Sequence, residues 1–176
     1  MMKFLFLALL FVLPACGFQP VYADKAFRFN DEGNVDEKLQ KVRLLPLKDR
    51  SGQKLQNLLI DRMYRDGYPK NAPYTLEIGL AYDERELGIQ KDATATRAEL
   101  IMTGDMVLRR ATTYEELYRT KVRTRVSYNI LDAQYGTRVA SENAVDRGLD
   151  QIAGEVVNRL SLYFSREVPT GKAPQP

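Results

Sequence analysis

The chain has 176 residues, of which 44% are hydrophobic and 28% are charged, as is typical of a globular protein with one hydrophobic core. Its net charge of +3 gives no electrostatic reason to expect a polyanionic partner. Histidine is absent and there is one cysteine, so we expect no metal site, no cofactor and no catalytic residue of the common kinds.

The N-terminus has the features of a bacterial lipoprotein signal. Phe4–Leu13 is an apolar run of signal-peptide length that is too short to span a bilayer as an ordinary helix. The run ends where a small residue, Ala15, precedes the only cysteine, Cys16, and this junction resembles the lipobox. We therefore predict that residues 1–15 are removed as a signal peptide and that Cys16 carries a covalent lipid. The alternative is an ordinary secretory signal that contains a cysteine near its end.

The residue after the cysteine predicts the final membrane. Bacterial lipoproteins that stay at the inner membrane tend to have aspartate in this position, whereas this chain has Gly17. We expect the protein to be anchored through its lipid in the outer membrane, with the domain facing the periplasm. In that compartment the available anions are glycolipids and other envelope proteins, so we expect no nucleic acid partner.

The first part of the mature chain combines an aromatic lead with a short strand. Residues 16–30 are rich in aromatic side chains, which indicates that part of this lipidated lead packs on the domain. Lys41–Leu47 is predicted to be a strand with Val42 and Leu44 on one face. Pro46 cannot donate a hydrogen bond to a neighbouring strand, which indicates an edge position or the end of the strand.

A helix and three consecutive strands follow. Ser51–Asp66 has apolar residues at helical spacing, and Gly67 is a suitable C-terminal stop. Asp83–Ala95 is charged and rich in turn-forming residues, and it is predicted to be a hairpin loop within a meander of three antiparallel strands. The alternating apolar residues of these strands lie in Tyr74–Tyr82, Ala98–Leu108 and Leu117–Ile130.

The last predicted element is a long amphipathic helix that begins near Ser141, as its N-cap, and ends near Arg166. Residues 167–176 contain prolines without an apolar pattern and are predicted to be a disordered tail. For residues 31–166 the order of elements predicts an α+β two-layer sandwich, with about four mostly antiparallel strands and two helices on one face. The first strand–helix–strand step is compatible with a parallel crossover.

The fourth predicted strand carries a run of cations on one face. Alternation along a strand places every second side chain on the same side, which separates the basic residues from the threonines and valines between them. One interpretation is a solvated face on which Glu77, Glu99 and Asp105 provide part of the cross-strand pairing. The other is a surface that binds phosphorylated lipid or an acidic partner wall. The cations are Arg119, Lys121, Arg123 and Arg125.

An enzymatic role has little support in the sequence. Asp83, Glu84 and Glu86 form an acidic cluster, but they fall in the predicted loop without a base or an apolar pocket to tune them. Neither a glycine-rich phosphate loop nor a serine–histidine pair occurs in the sequence. We therefore expect that the protein is not an enzyme.

Several short motifs occur in an order that is characteristic of one lipoprotein family. They begin at the lipobox and the mature start, Cys16–Tyr22, and continue in Ile101–Thr103, Ser127–Asn129 and Ala140–Leu160. Together with the order strand, helix, three strands, helix, they cover nearly all of the mature chain. In these features the chain resembles the lipopolysaccharide-assembly lipoprotein family LptE.

This resemblance implies a non-enzymatic role in the outer membrane. Members of the LptE family sit as a plug inside the large β-barrel LptD, help that barrel to fold, and bind lipopolysaccharide during its delivery to the outer leaflet. The resemblance places the lipopolysaccharide contacts at Lys91, in the loop before the third strand, and at Arg138, in the loop after the fourth. The implied partners are an LptD-like barrel, lipopolysaccharide and, through the lipid anchor, the membrane. A pilotin-like or chaperone lipoprotein of another envelope complex is the alternative function.

Overall fold

Three helices pack against a four-stranded sheet in the computed structural model of the protein, which describes residues 35–65, 67–89 and 95–166. The predicted signal peptide, Cys16, the aromatic lead, Lys91 and the predicted C-terminal tail lie outside the described residues. In chain order the described elements are α1 (Val35–Gln40), β1 (Val42–Leu44), α2 (Asp49–Met63), β2 (Tyr74–Ile89), β3 (Ala95–Arg110), β4 (Glu116–Asn129) and α3 (Gln134–Arg166).

The sheet is mixed, and its strands lie side by side in the order β1, β2, β3, β4. β1 pairs in parallel with β2, and α2 connects these two strands, whereas β2, β3 and β4 form an antiparallel meander. The predicted α+β sandwich with mostly antiparallel strands is therefore confirmed. α1, a helix of 6 residues that no sequence pattern predicted, is added to the two expected helices and buries Leu39.

β1 lies at one edge of the sheet and is shorter than the predicted Lys41–Leu47. Val42 and Leu44 are 0% and 2% exposed, whereas Arg43 between them is exposed, so the predicted inward face is confirmed. The strand ends before Pro46 and has no partner among the described strands on its outer side. Both observations agree with what proline predicts at this position.

α2 begins and ends earlier than the predicted range Ser51–Asp66. The carboxylate of Asp49 accepts a hydrogen bond from the backbone N–H of Gly52 at 2.8 Å, which satisfies one of the free amides of the first turn. Gly67, beyond the end of the helix, has a φ of 92°, a left-handed conformation that favours glycine. The predicted apolar stripe is confirmed by its buried members, Leu55, Leu59 and Met63.

The hairpin formed by β2 and β3 is longer than predicted. Asp83–Ala95 was expected to be a loop, but β2 continues to Ile89 and β3 begins at Ala95. The loop prediction was wrong because residues 81–88 are exposed on both sides of the strand, so no apolar face marks this segment in the sequence. Its backbone nevertheless continues the antiparallel pairing with β3.

α3 has 33 residues and begins at Gln134, so the predicted start near Ser141 was wrong and Ser141 is an interior residue of the helix. The hydroxyl of Thr137 accepts a hydrogen bond from the Leu131 N–H at 2.8 Å and donates one to the Leu131 carbonyl at 2.9 Å, which fixes the turn before the helix. The early turns were missed because their side chains are mostly exposed. At about 1.5 Å per residue α3 is about 50 Å long, which matches the length of the long strands.

The core lies between α3 and the sheet. Two glycines allow a close approach: a Cβ on Gly148 of α3 would lie 2.2 Å from Met102 Sδ, and a Cβ on Gly104 of β3 would lie 2.9 Å from Val122 Cγ2. α2 packs beside α3, and salt bridges of 2.5 Å and 2.7 Å join the two helices. The buried stripe of α3 consists of Ala144, Gly148, Leu149, Ile152, Ala153, Val156, Leu160 and Phe164.

Candidate functional site

The two sides of the sheet differ in what covers them. The helix-packed face carries the even-numbered side chains of β2, β3 and β4, which contribute most of the sheet's part of the core. The open face carries the odd-numbered side chains: positions 75–87 of β2, 97–109 of β3 and 119–129 of β4. Within the part of the chain that the structure describes, no helix packs on the open face, so this face presents strand side chains only.

The predicted basic run lies on the open face. Its members are exposed, whereas Val122 and Val126 between them are 2% and 6% exposed and point into the core. The predicted alternation of β4 is therefore confirmed. The strand places on one side Arg119, Lys121, Arg123 and Arg125.

Two of these cations have acidic partners. The Arg119 guanidinium donates to the Glu116 carboxylate at 2.5 Å, and this hydrogen bond lowers the pKa of Glu116 and raises the pKa of Arg119. Lys121 Nζ lies 3.1 Å from Asp105 Oδ1 on β3, directly opposite in the strand register. For this half of the run, cross-strand and local pairing accounts for the charges.

The other two cations have no acidic partner among the residues that the structure describes. Arg123 stands opposite Thr103, and Arg125 stands opposite Ile101. Among residues 35–65, 67–89 and 95–166, no carboxylate lies within salt-bridge distance of either guanidinium, and this includes Glu99 on β3. The structure thus divides the run into a neutralised half and an unpaired half.

Four of the remaining charges of the open face form two pairs. Glu77, one of the acids predicted to face the basic run, instead accepts a hydrogen bond from Arg109 on β3. Arg85 lies 2.9 Å from Asp83 along β2. These pairs lie on either side of the row that contains Arg123, so Arg123 and Arg125 lie near the middle of the face.

The resemblance implied that Arg138 lies in a loop, but the structure places it in a helix. It is in the second turn of α3, where its guanidinium lies 3.2 Å from the carboxylate of Glu142, one turn later. Both side chains are exposed, at 78% and 61%, so the pair is in solvent and its guanidinium remains available. Lys91 lies outside the described residues, so its position relative to Arg138 is not defined.

Arg138 nevertheless lies at the end of the sheet where β2 turns into β3. Ile89 and Ala95, which flank residues 90–94, are paired with each other at this end, and Asn129 at the end of β4 is opposite Arg97 nearby. α3 begins a few residues after Asn129. We call this end of the sheet, together with the start of α3, the hairpin end.

Exposed apolar side chains at the hairpin end were not predicted as part of a site. Leu131 is 50% exposed, Tyr135 80% and Val139 38%, and all three lie within two turns of Arg138. The i,i+4 spacing of Tyr135 and Val139 was the available signal, since it places two apolar side chains on one side of a helix outside the predicted core. A cation and an apolar strip are thus neighbours here.

The acidic cluster is divided by the strand. Asp83 and Glu84 point to opposite faces of β2, and only Asp83 lies on the open face. Glu84 accepts a hydrogen bond from the hydroxyl of Tyr128. Burial, together with this contact, raises the pKa of Tyr128. The alternation of β2 therefore places Asp83 on one face and both Glu84 and Glu86 on the other.

Within the described ranges, no group of three or more acidic, histidine or cysteine side chains is placed to hold a metal ion. Among the helices described, none combines the length and apolar character needed to cross a bilayer.

Comparison with solved structures shows that this fold occurs in several bacterial proteins. A protein from Caulobacter crescentus CB15, described as a lipoprotein, is 23% identical, with a TM-score of 0.62 over 77% of this chain and 98% of that one. Lipoprotein B from Nitrosomonas europaea is 17% identical, with a TM-score of 0.58 over 76% and 90% of the two chains. Rare lipoprotein B from Shewanella oneidensis is 12% identical, with a TM-score of 0.57 over 71% and 95%.

The comparison of sequences gives the family. No curated protein matched the chain. The family model described as lipopolysaccharide-assembly, LptE, matches residues 39–160, a range that runs from α1 into α3 and includes every described strand. This match spans more than half of the 176 residues. The chain therefore belongs to the lipopolysaccharide-assembly family LptE.

Proposed function

We propose that the protein is an outer-membrane lipoprotein that plugs and helps to assemble an LptD-like β-barrel, and that binds lipopolysaccharide during its delivery to the outer leaflet. The observation that carries the proposal is the family match over residues 39–160. The lumen of a large outer-membrane barrel is polar, and a sheet face covered with exposed charges is compatible with that environment.

In this proposal the lipid on Cys16 localises the domain, and protein contacts provide the rest of its function. Two or three acyl chains give stable membrane attachment, whereas a single chain gives only marginal attachment. The role is non-enzymatic and requires no cofactor other than the covalent lipid. The mature domain faces the periplasm, where it meets the barrel and the glycolipid.

The hairpin end has the chemistry of a surface that binds an anionic amphiphile. Lipopolysaccharide carries phosphates and carboxylates in its inner region, and cations make charge-assisted hydrogen bonds with such groups. We propose that Arg138 and Lys91 supply these cations. Support comes from the exposure of Arg138 and from its position beside Tyr135 and Val139, which offer apolar surface next to the charge.

The glycolipid contact is tested by the double charge reversal Lys91→Glu with Arg138→Glu. We expect binding of purified lipopolysaccharide to weaken at least about 10-fold, because hydrogen bonds to charged groups contribute about 1.5–3 kcal/mol each. Binding is measured with the purified lipidated protein by surface plasmon resonance, and the melting temperature reports on the fold. The control is Lys48→Glu with Arg50→Glu, which makes the same charge change at exposed positions around the start of α2.

Unchanged lipopolysaccharide binding in the double variant would remove Lys91 and Arg138 from the site. The barrel partner is tested separately, by isolating the mature lipidated protein from outer membranes and identifying what co-purifies. A large, heat-modifiable β-barrel supports the proposal. A secretin in its place would support the pilotin-like alternative instead.

A further inference from the structure

The open face is asymmetric in charge although it is regular in structure. Towards one end Arg119 and Lys121 are neutralised by acids, as is Arg109 on β3. Arg123 and Arg125, next along β4, have no carboxylate within salt-bridge distance in the described part of the chain. At two residues apart on a strand their Cα atoms are about 7 Å apart, so the two guanidinium groups form one local concentration of positive charge.

Small side chains adjoin the first of these two cations, Arg123. Thr103 lies opposite Arg123 on β3, and Ala81 lies beyond it on β2, in the same row across the sheet. Gly79, in the next row, is exposed, and a Cβ added to it would come no closer than 3.9 Å to a neighbouring atom. On the β2 side of Arg123 the face is therefore low, and a partner surface can approach the backbone there.

The size of the open face favours a protein as the occupant. Over the rows that β2, β3 and β4 share it is roughly 34 Å long and 10 Å between the outer strand axes. That footprint is a little under half of the roughly 800 Å² that each partner contributes to a standard protein interface. A single phosphorylated headgroup would occupy Arg123 and Arg125 but would leave most of this flat surface in water.

The chemistry of the two side chains favours carboxylates on that protein. Each guanidinium has a planar set of donors that matches a carboxylate in a bidentate arrangement, and neither is engaged by an acid of the described chain. Like charges placed side by side without acids are unfavourable in the free protein. An acidic patch on a partner relieves this repulsion, so complementary charge stabilises the complex relative to the free chains.

We propose that the open face is a docking surface for the barrel partner, and that Arg123 and Arg125 receive carboxylates of an acidic patch near the middle of the interface. The identity of the partner rests on the proposed function. The location of the contact rests on the open face itself and is independent of the glycolipid contacts at the hairpin end. Lipopolysaccharide or another anionic lipid on the open face is the competing outcome.

The test uses full-length lipoprotein co-expressed with the barrel, and compares wild type with Arg123→Glu/Arg125→Glu. Reversing charges that are paired across a buried interface weakens binding by a factor of about 30 or more. We therefore expect retention of the barrel to fall by at least that factor, while Lys48→Glu/Arg50→Glu stays within about 2-fold of wild type. The variant Arg123→Gln/Arg125→Gln should give an intermediate loss, and it replaces the reversal if the latter does not fold.

A second arm separates the partner from a lipid. Purified variants are tested for binding to lipopolysaccharide and to vesicles that contain anionic phospholipid, and we expect both to remain within about 2-fold of wild type. Unchanged barrel retention in the reversal variant overturns the inference and leaves the proposed function intact. If the reversal variant retains the barrel but loses lipid binding, the inference is also overturned, because the open face would then be a lipid site. Failure of the wild-type protein to retain any barrel overturns the proposed function and the inference together.

Discussion

The same three strands build two surfaces that follow different physical rules. On the helix-packed face, Met102 lies against Gly148 of α3 and Val122 lies against Gly104 of β3, and neither glycine has room for an added methyl group. On the open face Ile101 and Val107 are buried among longer side chains, but the cations of β4 are exposed, and several neighbours are matched by charge, as in the pair of Lys121 and Asp105. The first face therefore determines stability through volume, and the second is free to serve recognition. Substitutions on the two faces should differ in both the size and the kind of their effects.

The strongest test of this contrast compares two strand glycines, Gly104→Val and Gly79→Val. A Cβ on Gly104 would lie 2.9 Å from Val122 Cγ2 and 3.5 Å from Ile152 Cγ2, so valine overpacks the core and should lower the free energy of unfolding by about 3 kcal/mol. A Cβ on Gly79 would lie no closer than 3.9 Å to a neighbouring atom, so valine there should change the free energy of unfolding by at most about 0.5 kcal/mol. Chemical denaturation of both variants measures the difference.

The melting temperature provides an independent measurement for the same pair. We expect Gly104→Val to melt about 6–12 °C below wild type, at about 2–4 °C per kcal/mol for a domain of this size. Gly79→Val should melt within about 2 °C of wild type. Equal losses in the two variants would mean that the open face is packed as tightly as the other, which would contradict the contrast between them.

A smaller effect on stability is expected at the buried hydroxyl of Tyr64, which contacts β1. Tyr64 is 7% exposed, its hydroxyl donates to the Val42 carbonyl at 2.6 Å, and burial raises its pKa from 10.0 to about 12. Because the folded protein holds this proton more tightly than the unfolded chain, stability is complete below pH 10 and declines as the pH rises towards 12. We expect Tyr64→Phe to lose about 1 kcal/mol at neutral pH.

The pH dependence of stability distinguishes the contribution of Tyr64 from that of other titrating groups. Denaturation of the wild-type protein between pH 9 and 12 should show a decline to which Tyr64 contributes up to about 2 kcal/mol, and Tyr64→Phe should keep only the part that comes from Tyr128, whose pKa is also raised. Tyr114, which is 76% exposed, provides the control, since Tyr114→Phe should keep the wild-type decline. An identical decline in Tyr64→Phe would show that other groups cause it.

The elements that could be predicted from the sequence are those with one apolar face. Val42 and Leu44, the α2 stripe and the alternation of β4 were predicted correctly, because burial on one side leaves a period in the sequence. The distal half of β2 and the first turns of α3 were missed, since their side chains are mostly exposed and leave no such period. Helix α1 was missed because it is short and buries a single residue.

The candidate site was predictable only as a set of residues. The sequence places four cations on one side of β4, but it does not specify which acid stands opposite each of them. That depends on the register between β3 and β4, which puts Asp105 beside Lys121 and puts Thr103 and Ile101 beside Arg123 and Arg125. Of the three acids predicted to pair with the run, only Asp105 forms a salt bridge with it.

The smallest expected effect distinguishes the paired from the unpaired half of this run. Lys121→Thr removes a pair whose side chains are 73% and 47% exposed, so it should lower the free energy of unfolding by about 0.5 kcal/mol. Arg123→Thr removes a charge that has no acidic partner in the described chain and lies between two other cations. It should leave the free energy of unfolding unchanged or raise it by about 0.3 kcal/mol. Threonine suits an exposed strand position in both variants. Urea denaturation at low salt measures the difference, which should shrink in about 1 M salt, where the Debye length is about 3 Å. A loss above about 1 kcal/mol in Arg123→Thr would contradict the division of the run, because it would mean that Arg123 stabilises the free domain instead of being held available for a partner.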